Sequence, residues 1–384
     1  MKICLVSHSF YPATSYGGPI FATWELAKRL SESGLEVFVA TTSANGKERL
    51  DVKENIYIKH QDNLFIKYYH EEIINRFSFA YFFGIFKDVK KVDLVYIQYL
   101  YHYTVLLAIL ASIYYQKKIV IAPRGAFSSF SLTHKFILLK KLYLSFISLF
   151  RKNIKWQASS YLESKDILRN YNNTQVYIIN DGINYNEFQH YKNINRKELV
   201  RKFTGKQFNE VKYVFLSMGR LHNIKGFDIV IDAFKLLIKD YPSAKLLIAG
   251  SDDGVEHDLK IQIQKLSLND SVFLIGEVLN ENKISLLNNC DFFTLGSHFE
   301  SFGIVIAEAL SCGKPVIVSN KTPWKDLEEN NCGIFVNNEK HDFYLAFKHC
   351  IKSKYNKKSI QYYVKARYDW SIILQDFIKF INNY

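Results

Sequence analysis

The chain has 384 residues, of which 48% are hydrophobic and 23% are charged. This length suits two domains of ordinary size, and the apolar share excludes an intrinsically disordered chain. Five scattered cysteines form no Cys-x-x-Cys pair. That pattern excludes a small disulfide scaffold and a cysteine-based zinc site, and it favours a reducing compartment. Lysine and arginine outnumber aspartate and glutamate by 50 to 37, which gives a net charge of +13.

The positive charge is concentrated in one part of the first half. Residues 94–162 contain no Asp or Glu but carry many aromatic and aliphatic side chains. The cations in this stretch are Lys117, Lys118, Arg124, Lys135, Lys140, Lys141, Arg151, Lys152 and Lys155. A basic surface interleaved with aromatic residues suits nucleic acid, an anionic membrane or an anionic substrate as the partner.

No segment predicts a signal peptide or a membrane-spanning helix. The first apolar run, 3–6, has four residues, whereas a signal peptide needs about 7–15. The longest uncharged apolar stretch, 103–115, has 13 residues, whereas a spanning helix needs about 20. We therefore expect a cytoplasmic protein that lies peripherally on the inner face of the cell membrane.

The first half predicts alternating strands and helices. A strand at 3–7 leads through a loop of small and turn residues into a helix whose apolar positions, from Ile20 to Leu30, share one stripe. Gly34 ends this helix, and a second strand follows at 37–41. The further predicted elements are strands at 93–98, 119–122, 155–158 and 176–179 and helices at 104–115 and 136–150. This βαβ order indicates a parallel sheet.

The second half predicts another α/β series. Residues 184–210 are polar and charged, and we interpret them as the interdomain linker and its flanking helix. The series then has strands at 213–218, 245–249, 272–275, 291–295 and 315–318 and helices at 227–239, 283–289 and 303–311. Its strands are apolar on both faces, as buried parallel strands are. The whole pattern predicts two doubly wound, Rossmann-like α/β domains facing across a cleft, with ligands beyond the carboxyl ends of the strands.

The strongest chemical signal is Glu300-Ser-Phe-Gly-Ile-Val-Ile-Ala-Glu308, followed by Gly313-Lys314-Pro315. If a helix starts between Ser301 and Gly303, its first backbone N–H groups form a site for phosphate. Glu308 then lies about a turn and a half into the helix, where it can accept two ribose hydroxyls. Glu300 can reach a sugar. The alternative is an amphipathic helix with a surface acid at each end, which leaves the Ser-Phe-Gly insert unexplained.

A second signal, Gly219-Arg220-Leu221-His222-Asn223-Ile224-Lys225-Gly226, follows a predicted strand. Arg220 can bind a diphosphate bidentately, and Lys225 can act as a point charge. Two solvated surface cations are the alternative, and the motif alone favours neither. In combination with the glutamate pair, the motif favours anion binding.

These motifs and the Gly17-Gly18 loop resemble the retaining glycosyltransferases of family four, which have the GT-B fold. The resemblance extends to Asn180-Asp181-Gly182-Ile183-Asn184, to the closing Tyr368-Asp369-Trp370 and to the terminal helix. It implies an N-terminal acceptor-binding domain at 1–188 and a C-terminal nucleotide-sugar-binding domain at 189–369. It also implies that the last helix, 370–384, packs back on the first domain.

The resemblance implies a role for each charged residue of the motifs. Glu300 would face the donor sugar, and Glu308 would hold the donor ribose. Arg220 and Lys225 would bind the diphosphate and stabilise it as it leaves, since fixed cations lower the barrier where negative charge develops. This arrangement needs no metal and no cofactor. Ser251-Asp252-Asp253-Gly254 is accordingly interpreted as a turn. The resemblance also implies retention of anomeric configuration, by front-face attack with the leaving phosphate as base.

Uncharged positions would complete the donor site. The backbone amides of Phe302, Gly303 and Ile304 would contact sugar or phosphate. Gly276 and Val278 resemble the family's base-contacting loop. Gly17 and Gly18 would let the first loop approach the donor phosphate because they lack a Cβ atom; for Gly18 an ordinary flexible turn is the alternative.

The chain departs from the family at Ala122-Pro123-Arg124-Gly125, where many relatives carry a His. Pro-Arg-Gly resembles a subgroup associated with bacterial surface polysaccharide assembly. Arg124 would contact the donor or a phosphate of a lipid-linked acceptor, and the alternative is a cation that caps the strand end. His8 follows the first strand and would line the cleft, unless it is a partly buried residue bonded to loop backbone.

The helix at 136–150 mixes Lys140 and Lys141 with apolar residues. We expect the segment 113–155 to contact an anionic membrane surface. A helix packed in its domain, with solvated cations, is the alternative.

The resemblance therefore implies a retaining, metal-independent glycosyltransferase. It would move a hexose-type sugar from a UDP- or GDP-linked donor to a saccharide or polyprenyl-diphosphate-linked acceptor in surface polysaccharide biosynthesis. A nucleic-acid-binding protein is one alternative, but no binding module is recognised, so nucleic acid is not expected as a partner. An epimerase or phosphorylase on the same fold is another.

Overall fold

The computed structural model describes residues 1–133 and 136–383. The expectations for Lys135, for positions 134–135 of the membrane segment and for the end of the terminal helix at 384 lie outside the described residues. The chain divides into two compact units, one made of residues 1–182 with the segment from 371 onward, the other of residues 183–370. Each unit has its own hydrophobic core.

The N-terminal unit is built on an eight-stranded sheet with a small separate hairpin. Its strands are β1 (Lys2–Val6), β2 (Glu36–Thr42), β3 (Ala44–Asn45), β4 (Glu48–Arg49), β5 (Ile58–Gln61), β6 (Leu64–Tyr69), β7 (Leu94–Gln98), β8 (Lys118–Ala122), β9 (Ile154–Ala158) and β10 (Val176–Ile178). The sheet order is β10-β9-β8-β7-β1-β2-β6-β5, and every pair is parallel except β5 with β6. The central strands are almost wholly buried because helices cover both faces.

The helices of this unit are α1 (Gly18–Glu32), α2 (Phe79–Lys90), α3 (Tyr103–Tyr114), α4 (Ser129–Thr133), α5 (Ile137–Ser148) and α6 (Tyr161–Asn170). Helix α1 follows Gly17, which has φ of 78°, and it carries a proline in its first turn. Ser78 and Ser160 cap α2 and α6 by accepting backbone N–H groups three residues on, at 3.0 and 3.2 Å.

The C-terminal unit contains a six-stranded parallel sheet. Its strands are β11 (Tyr213–Met218), β12 (Ala244–Ala249), β13 (Val272–Leu274), β14 (Phe292–Leu295), β15 (Val316–Ser319) and β16 (Gly333–Val336). The order is β13-β12-β11-β14-β15-β16. The chain thus builds the sheet outward in one direction from β11 and then in the other direction from β14. Ligands of such sheets bind at this switch point, beyond the carboxyl ends of the strands.

The helices of the C-terminal unit are α7 (Arg196–Thr204), α8 (Phe227–Asp240), α9 (Glu256–Lys265), α10 (Asn280–Asn289), α11 (Ile304–Ser311), α12 (Lys340–Lys352) and α13 (Lys357–Tyr368). A final helix, α14 (Trp370–Asn382), closes the described chain. The rings of Phe377 and Tyr96 lie 5.0 Å apart, and those of Phe380 and Tyr177 lie 4.7 Å apart, so α14 packs on strands of the N-terminal unit.

The prediction of two doubly wound α/β sheets is confirmed. Strand β6 was not predicted, because Lys67 interrupts its apolar pattern. In the fold, Lys67 forms a buried ion pair with Asp88 of α2 at 3.0 Å. The division between units falls at 182/183 and not at 188. Ile183 exchanges backbone hydrogen bonds with Tyr368 and Trp370, at 2.8 and 3.1 Å, and this pairing ties residue 183 to the second unit.

Within residues 1–133 and 136–383, the helices are all too short or too polar to cross a membrane.

Candidate functional site

The switch point of the C-terminal sheet holds an ion pair drawn from two loops. Lys225 lies in the turn after β11, Glu300 lies in the loop after β14, and Nζ is 2.6 Å from Oε1. The hydroxyl of Ser297 donates to the same carboxylate oxygen at 2.7 Å. The two charged side chains are 19% and 10% exposed. The carboxylate and the ammonium therefore stand at the position where this fold class places ligands.

Backbone contacts hold these two loops together. Gly226 has φ of 59°, and a Cβ atom there would lie 1.9 Å from the carbonyl oxygen of Gly296. The N–H of His298 donates to the carbonyl of Ile224 at 2.7 Å. Only a glycine allows the first loop to approach the second so closely, which explains the Gly226 that follows the lysine.

The second glutamate, Glu308, forms a separate ion pair between two helices of the same unit. Helix α11 begins at Ile304, directly after Gly303, which has φ of 84°. Glu308 projects from this helix, and its Oε1 accepts from Nζ of Lys283 on α10 at 2.6 Å. The first N–H groups of a helix have no partner inside that helix, so the start of α11 offers donors to an anion. The predicted helix start is thus found within a residue of its expected place.

Phe302 contributes to the core as well as to the loop. Its side chain is 2% exposed, and its carbonyl oxygen accepts from the indole N–H of Trp324 at 2.7 Å. Its ring lies 5.3 Å from those of Trp324 and Tyr368. This packing fixes the backbone at 302–304, whose N–H groups are the predicted donor contacts.

Arg220 lies nearer to solvent than Lys225. Its guanidinium is 2.5 Å from Asp253, and the two side chains are 44% and 38% exposed. The neighbouring Asp252 accepts the N–H groups of Gly254, Val255 and Glu256, at 2.9, 3.2 and 3.1 Å. These hydrogen bonds lower the pKa of Asp252. Asp252 thus holds the predicted turn, which leads into α9.

The predicted base-contacting loop lies at the same sheet edge. Gly276 has φ of 72°, and its carbonyl accepts the N–H of Gly250 at 2.8 Å, so the loops after β12 and β13 are joined. Val278 packs, partly buried, against the core of this unit. Among residues 1–133 and 136–383, His, Cys, Asp and Glu side chains form no cluster of three or more suited to a metal ion.

In the N-terminal unit, Arg124 is buried at the carboxyl end of β8. Its side chain is 6% exposed, and Nε donates to Oε1 of Gln98 at 2.8 Å while Nη1 pairs with Asp181. Glu163 accepts the N–H of Gly125 at 2.5 Å and that of Ser159 at 2.7 Å, which fixes the Pro-Arg-Gly turn. Contact of Arg124 with a donor or acceptor stays a prediction.

Two histidines meet at the same edge of the N-terminal sheet. His8 follows β1 and His102 follows β7, and their ring centroids are 5.1 Å apart. Burial lowers the pKa of His8 to about 4. Burial, together with the proximity of His8, lowers the pKa of His102 to about 3. Both imidazoles are therefore neutral at pH 7.

Tyrosines lie beside His8, and two tyrosines of the loop after β7 have a strained backbone. Tyr99 and Tyr101 have φ of 69° and 61°, which is rare for bulky residues and is concentrated at functional sites. The rings of Tyr99 and Tyr16 lie 5.4 and 5.3 Å from that of His8. The carboxyl edge of this sheet is thus aromatic and neutral around His8, beside the buried Arg124 ion pair.

The two glycines of the first loop differ. Gly17 needs its positive φ of 78° to start α1. A Cβ atom on Gly18 would meet nothing within 4 Å, so packing inside this unit does not require glycine there.

Sequence reasoning missed three residues of these edges: Lys283, Glu163 and His102. Lys283 precedes its carboxylate partner by 25 residues and Glu163 follows Gly125 by 38. Such pairs are made by sheet topology, and no local spacing marks them.

Two doubly wound sheets, the second with its charged loops at the switch point, define the GT-B fold class. Residues 201–367 match the family described as glycosyl transferases group 1. This part of the chain is therefore similar to that family of enzymes. The crystal structure of HepE from Anabaena in complex with UDP and glucose matches with a TM-score of 0.76 at 18% identity, over 100% of both chains.

Curated relatives match over parts of their length. The chain is 28% identical to alpha-1,3/1,6-mannosyltransferase ALG2 of Dictyostelium discoideum over 282 residues, which are 65% of this chain and 66% of ALG2. It is 28% identical to GDP-mannose:cellobiosyl-diphosphopolyprenol alpha-mannosyltransferase of Xanthomonas oryzae pv. oryzae over 187 residues, 47% of this chain and 49% of the relative. The chain thus spans less than two thirds of the length of these relatives.

Proposed function

We propose that the protein is a retaining glycosyltransferase that takes a hexose-type sugar from a nucleotide-diphospho-sugar. The observation that carries this proposal is the Lys225–Glu300 pair at the switch point of the C-terminal sheet, at 2.6 Å. Glu308 and the start of α11 lie on the next element along. The family match over residues 201–367 supports the same reading.

The charges suit departure of a nucleoside diphosphate. When the bond between the anomeric carbon and the phosphate oxygen breaks, its electron pair stays on that oxygen. Lys225, Arg220 and the first N–H groups of α11 stabilise the resulting negative charge. The acceptor hydroxyl forms the new bond on the same face of the sugar, and its proton passes to the leaving phosphate. Protein groups stabilise the developing charge and the leaving phosphate takes the proton, so the proposed mechanism uses neither a metal nor a cofactor.

The glutamates position the donor. Glu300 is held by Lys225 and Ser297, so its second carboxylate oxygen can accept sugar hydroxyls. Glu308 accepts from Lys283 and can accept ribose hydroxyls. Gly276 and Val278 flank the base. The HepE structure holds UDP and glucose, and the relative from Xanthomonas oryzae is named for GDP-mannose, so we infer a UDP- or GDP-linked hexose.

For the acceptor we propose a saccharide or polyprenyl-diphosphate-linked glycan in bacterial surface polysaccharide biosynthesis. A relative acts on a cellobiosyl-diphosphopolyprenol, which supports an acceptor of this chemistry. With such an acceptor, we propose that the protein works at the cytoplasmic face of the cell membrane.

Donor binding and turnover test the proposal together. Thermal-shift measurements with UDP-, GDP- and ADP-sugars identify the donor, since a ligand of the native state alone raises stability. Lys225→Met should then lower kcat by about 10²–10³-fold, because one stabilising group at the developing charge is lost. Glu308→Gln should raise the donor KM by about tenfold, which corresponds to about 1.4 kcal/mol of binding.

Lys348→Met provides a matched control, since this lysine pairs with Asp240 at 2.7 Å on the surface of the same unit. It should leave both constants unchanged. Full turnover and donor affinity in both site variants would overturn the proposal. Salt-dependent DNA binding without any nucleotide-sugar binding would favour a nucleic-acid-binding protein instead.

We further propose that α5 contacts the anionic membrane. Leu138 and Leu142 lie one turn apart on α5 and are 71% and 60% exposed, and Leu149, directly after the helix, is 73% exposed. Lys141 is exposed beside them, in a stretch that has no acidic residue. Lys140, in contrast, donates to the carbonyl of Ser131 at 2.6 Å and is not offered to headgroups. An apolar stripe with a cation beside it suits the lipid interface.

Flotation with phosphatidylglycerol vesicles tests this contact. Leu138→Asn with Leu142→Asn should reduce the bound fraction several-fold, because two apolar contacts with the acyl boundary are lost. Leu168→Asn with Leu345→Asn is the control, since these leucines are also exposed, at 43% and 51%, but lie on α6 and α12. Equal flotation of both double variants would contradict membrane contact through α5.

A further inference from the structure

The N-terminal unit has a cavity of about 530 Å³ at the amino edge of its sheet. The cavity lies where β8 and β9 begin and where the chain approaches β10. Three segments, 112–118, 151–155 and 173–175, line the cavity. Their charged and hydroxyl-bearing residues include Lys117, Lys118, Arg151, Lys152, Lys155 and Thr174.

This cavity is separate from the carboxyl edge described above. Lys118 is the first residue of β8, and Ala122, just before the Pro-Arg-Gly turn, is the last. A strand rises about 3.3 Å per residue, so the two ends of β8 lie about 13 Å apart. The cavity is thus at the opposite edge of the sheet from Arg124 and His8, and neither the donor nor the acceptor of the proposed transfer accounts for it.

The lining is strongly and one-sidedly positive. It contains five cations and no aspartate or glutamate. Within the part of the chain that the structure describes, no carboxylate lies within 4.0 Å of the charged nitrogens of Lys117, Arg151 or Lys152. The carbonyl end of α3 is close in sequence, but a helix end carries only about half a negative charge. A single helix end leaves most of the positive charge of Lys117, Arg151 and Lys152 uncompensated.

The uncharged part of the lining consists largely of hydrogen-bonding groups. Asn153, Asn173 and Gln175 contribute amides. The hydroxyl of Thr174 is buried, and within the described residues it has no hydrogen-bond partner. Lys and Arg together with hydroxyl and amide donors are the groups that recognise phosphate oxygens. A cavity of this volume holds a small ligand with more than one phosphate.

We propose that this amino-edge cavity is a second anion site, which binds a phosphate-bearing ligand away from the reaction centre. Two sources can supply such a group: the headgroup of an anionic membrane lipid or a soluble phosphorylated compound. Tyr114 and Leu149, which precede lining residues in sequence, are 72% and 73% exposed. The inference rests on the N-terminal unit alone and does not depend on sugar transfer.

The proposal is tested by comparing charge reversal at two lysines that line the cavity with charge reversal at two lysines away from it. Lys117→Glu with Lys152→Glu changes the net charge by −4, and so does the control, Lys47→Glu with Lys53→Glu. Both controls are exposed residues of the same unit that do not line the cavity. Calorimetric titration with inorganic pyrophosphate and flotation with cardiolipin vesicles are run on the full chain, and the thermal unfolding midpoint verifies folding.

Loss of pyrophosphate affinity by at least about tenfold in the cavity variant, with the control within about twofold, supports a site for soluble phosphates. Loss of vesicle binding in the cavity variant alone, without pyrophosphate binding by the native chain, supports the lipid headgroup. Equal behaviour of the two variants in both assays overturns the proposal. Loss of vesicle binding in the α5 leucine variant bears only on the α5 contact, and the two results are distinguishable.

Discussion

The carboxyl edges of the two sheets are built in opposite ways. In the C-terminal unit, charged side chains from glycine-rich loops pair at two depths: Lys225 and Glu300 are 19% and 10% exposed, whereas Arg220 and Asp253 are 44% and 38% exposed. In the N-terminal unit, the edge combines neutral histidines, tyrosines and a buried ion pair, Arg124 with Asp181, at 6% and 8% exposure. The C-terminal edge presents charged groups that an anion can contact, whereas the charged groups of the N-terminal edge are buried and paired with each other.

This difference indicates which ion pairs contribute to folding stability and which remain available for ligand binding. An exposed pair contributes little to stability and remains available to a ligand, whereas a buried pair is costly to break. Substitutions at the N-terminal edge should therefore mainly change stability. Substitutions at the C-terminal edge should mainly change donor binding, except at Gly226, whose backbone contacts that of Gly296.

The largest stability effect is expected at the buried pair. Asp181→Asn leaves the Arg124 guanidinium buried without a counter-charge, and the free energy of unfolding should fall by about 3–5 kcal/mol. Urea denaturation at pH 7 measures the change. Asp166→Asn is the control, because its partner Arg169 is 71% exposed, and this variant should lose less than about 1 kcal/mol. Equal losses of unfolding free energy in the two variants would show that burial does not determine how much these ion pairs contribute to stability.

The next effect concerns a backbone contact of the C-terminal edge. Gly226→Ala forces a Cβ atom to within 1.9 Å of the Gly296 carbonyl oxygen, so the loops that carry Lys225 and Glu300 must separate. We expect a loss of about 2–4 kcal/mol of unfolding free energy, since backbone strain adds to the clash. Gly205→Ala is the matched control. It has a similar φ of 70° with nothing within 4 Å, so its cost should stay near 1–2 kcal/mol, roughly the strain alone.

Much of the C-terminal edge could be predicted from sequence because its residues are close along the chain. Lys225 precedes Gly226, and Glu300 precedes the helix start at Ile304. Local spacing along the chain is therefore enough to place these charged groups beside the loops that hold them. The N-terminal edge could not be predicted in this way. His8 and His102 stand 94 positions apart in sequence and meet only because β1 and β7 are neighbours in the sheet.

The same limit applies to β6 and to the Arg124 pair. The pattern of β6 is broken by Lys67, whose partner lies on α2. Asp181 belongs to a segment that carries the family resemblance, but nothing in its sequence neighbourhood indicates a carboxylate partner for Arg124. Long-range pairs depend on sheet order, which apolar periodicity does not encode.

A further effect should appear with pH at the N-terminal edge. Unfolded histidine has a pKa of about 6.5, whereas those of His8 and His102 are about 4 and about 3. Below pH 6.5 the unfolded chain binds more protons than the folded chain, so the free energy of unfolding falls as pH decreases. Between pH 6.5 and 5 we expect the pair to account for about 3 kcal/mol of this loss, roughly half from each histidine.

The double variant His8→Gln with His102→Gln should remove that part of the pH dependence. Urea denaturation at pH 7 and pH 5 measures it. His257→Gln with His341→Gln, two exposed residues of the other unit, serves as the control and should retain the native difference. A double variant at 8 and 102 that keeps the native pH dependence would show that these imidazoles are not the groups that titrate.

The smallest stability effect should come from the exposed pair of the C-terminal edge. Asp253→Asn removes the partner of Arg220 without burying a charge, so the free energy of unfolding should change by less than about 1 kcal/mol. The same substitution releases the guanidinium, and donor affinity should rise about twofold at low salt and less at high salt. Arg220→Met should lower that affinity. Since Asp181→Asn and Asp253→Asn make the same chemical change, their contrast isolates burial. If both cost the same stability and neither alters donor binding, the two edges do not differ in the way their structures indicate.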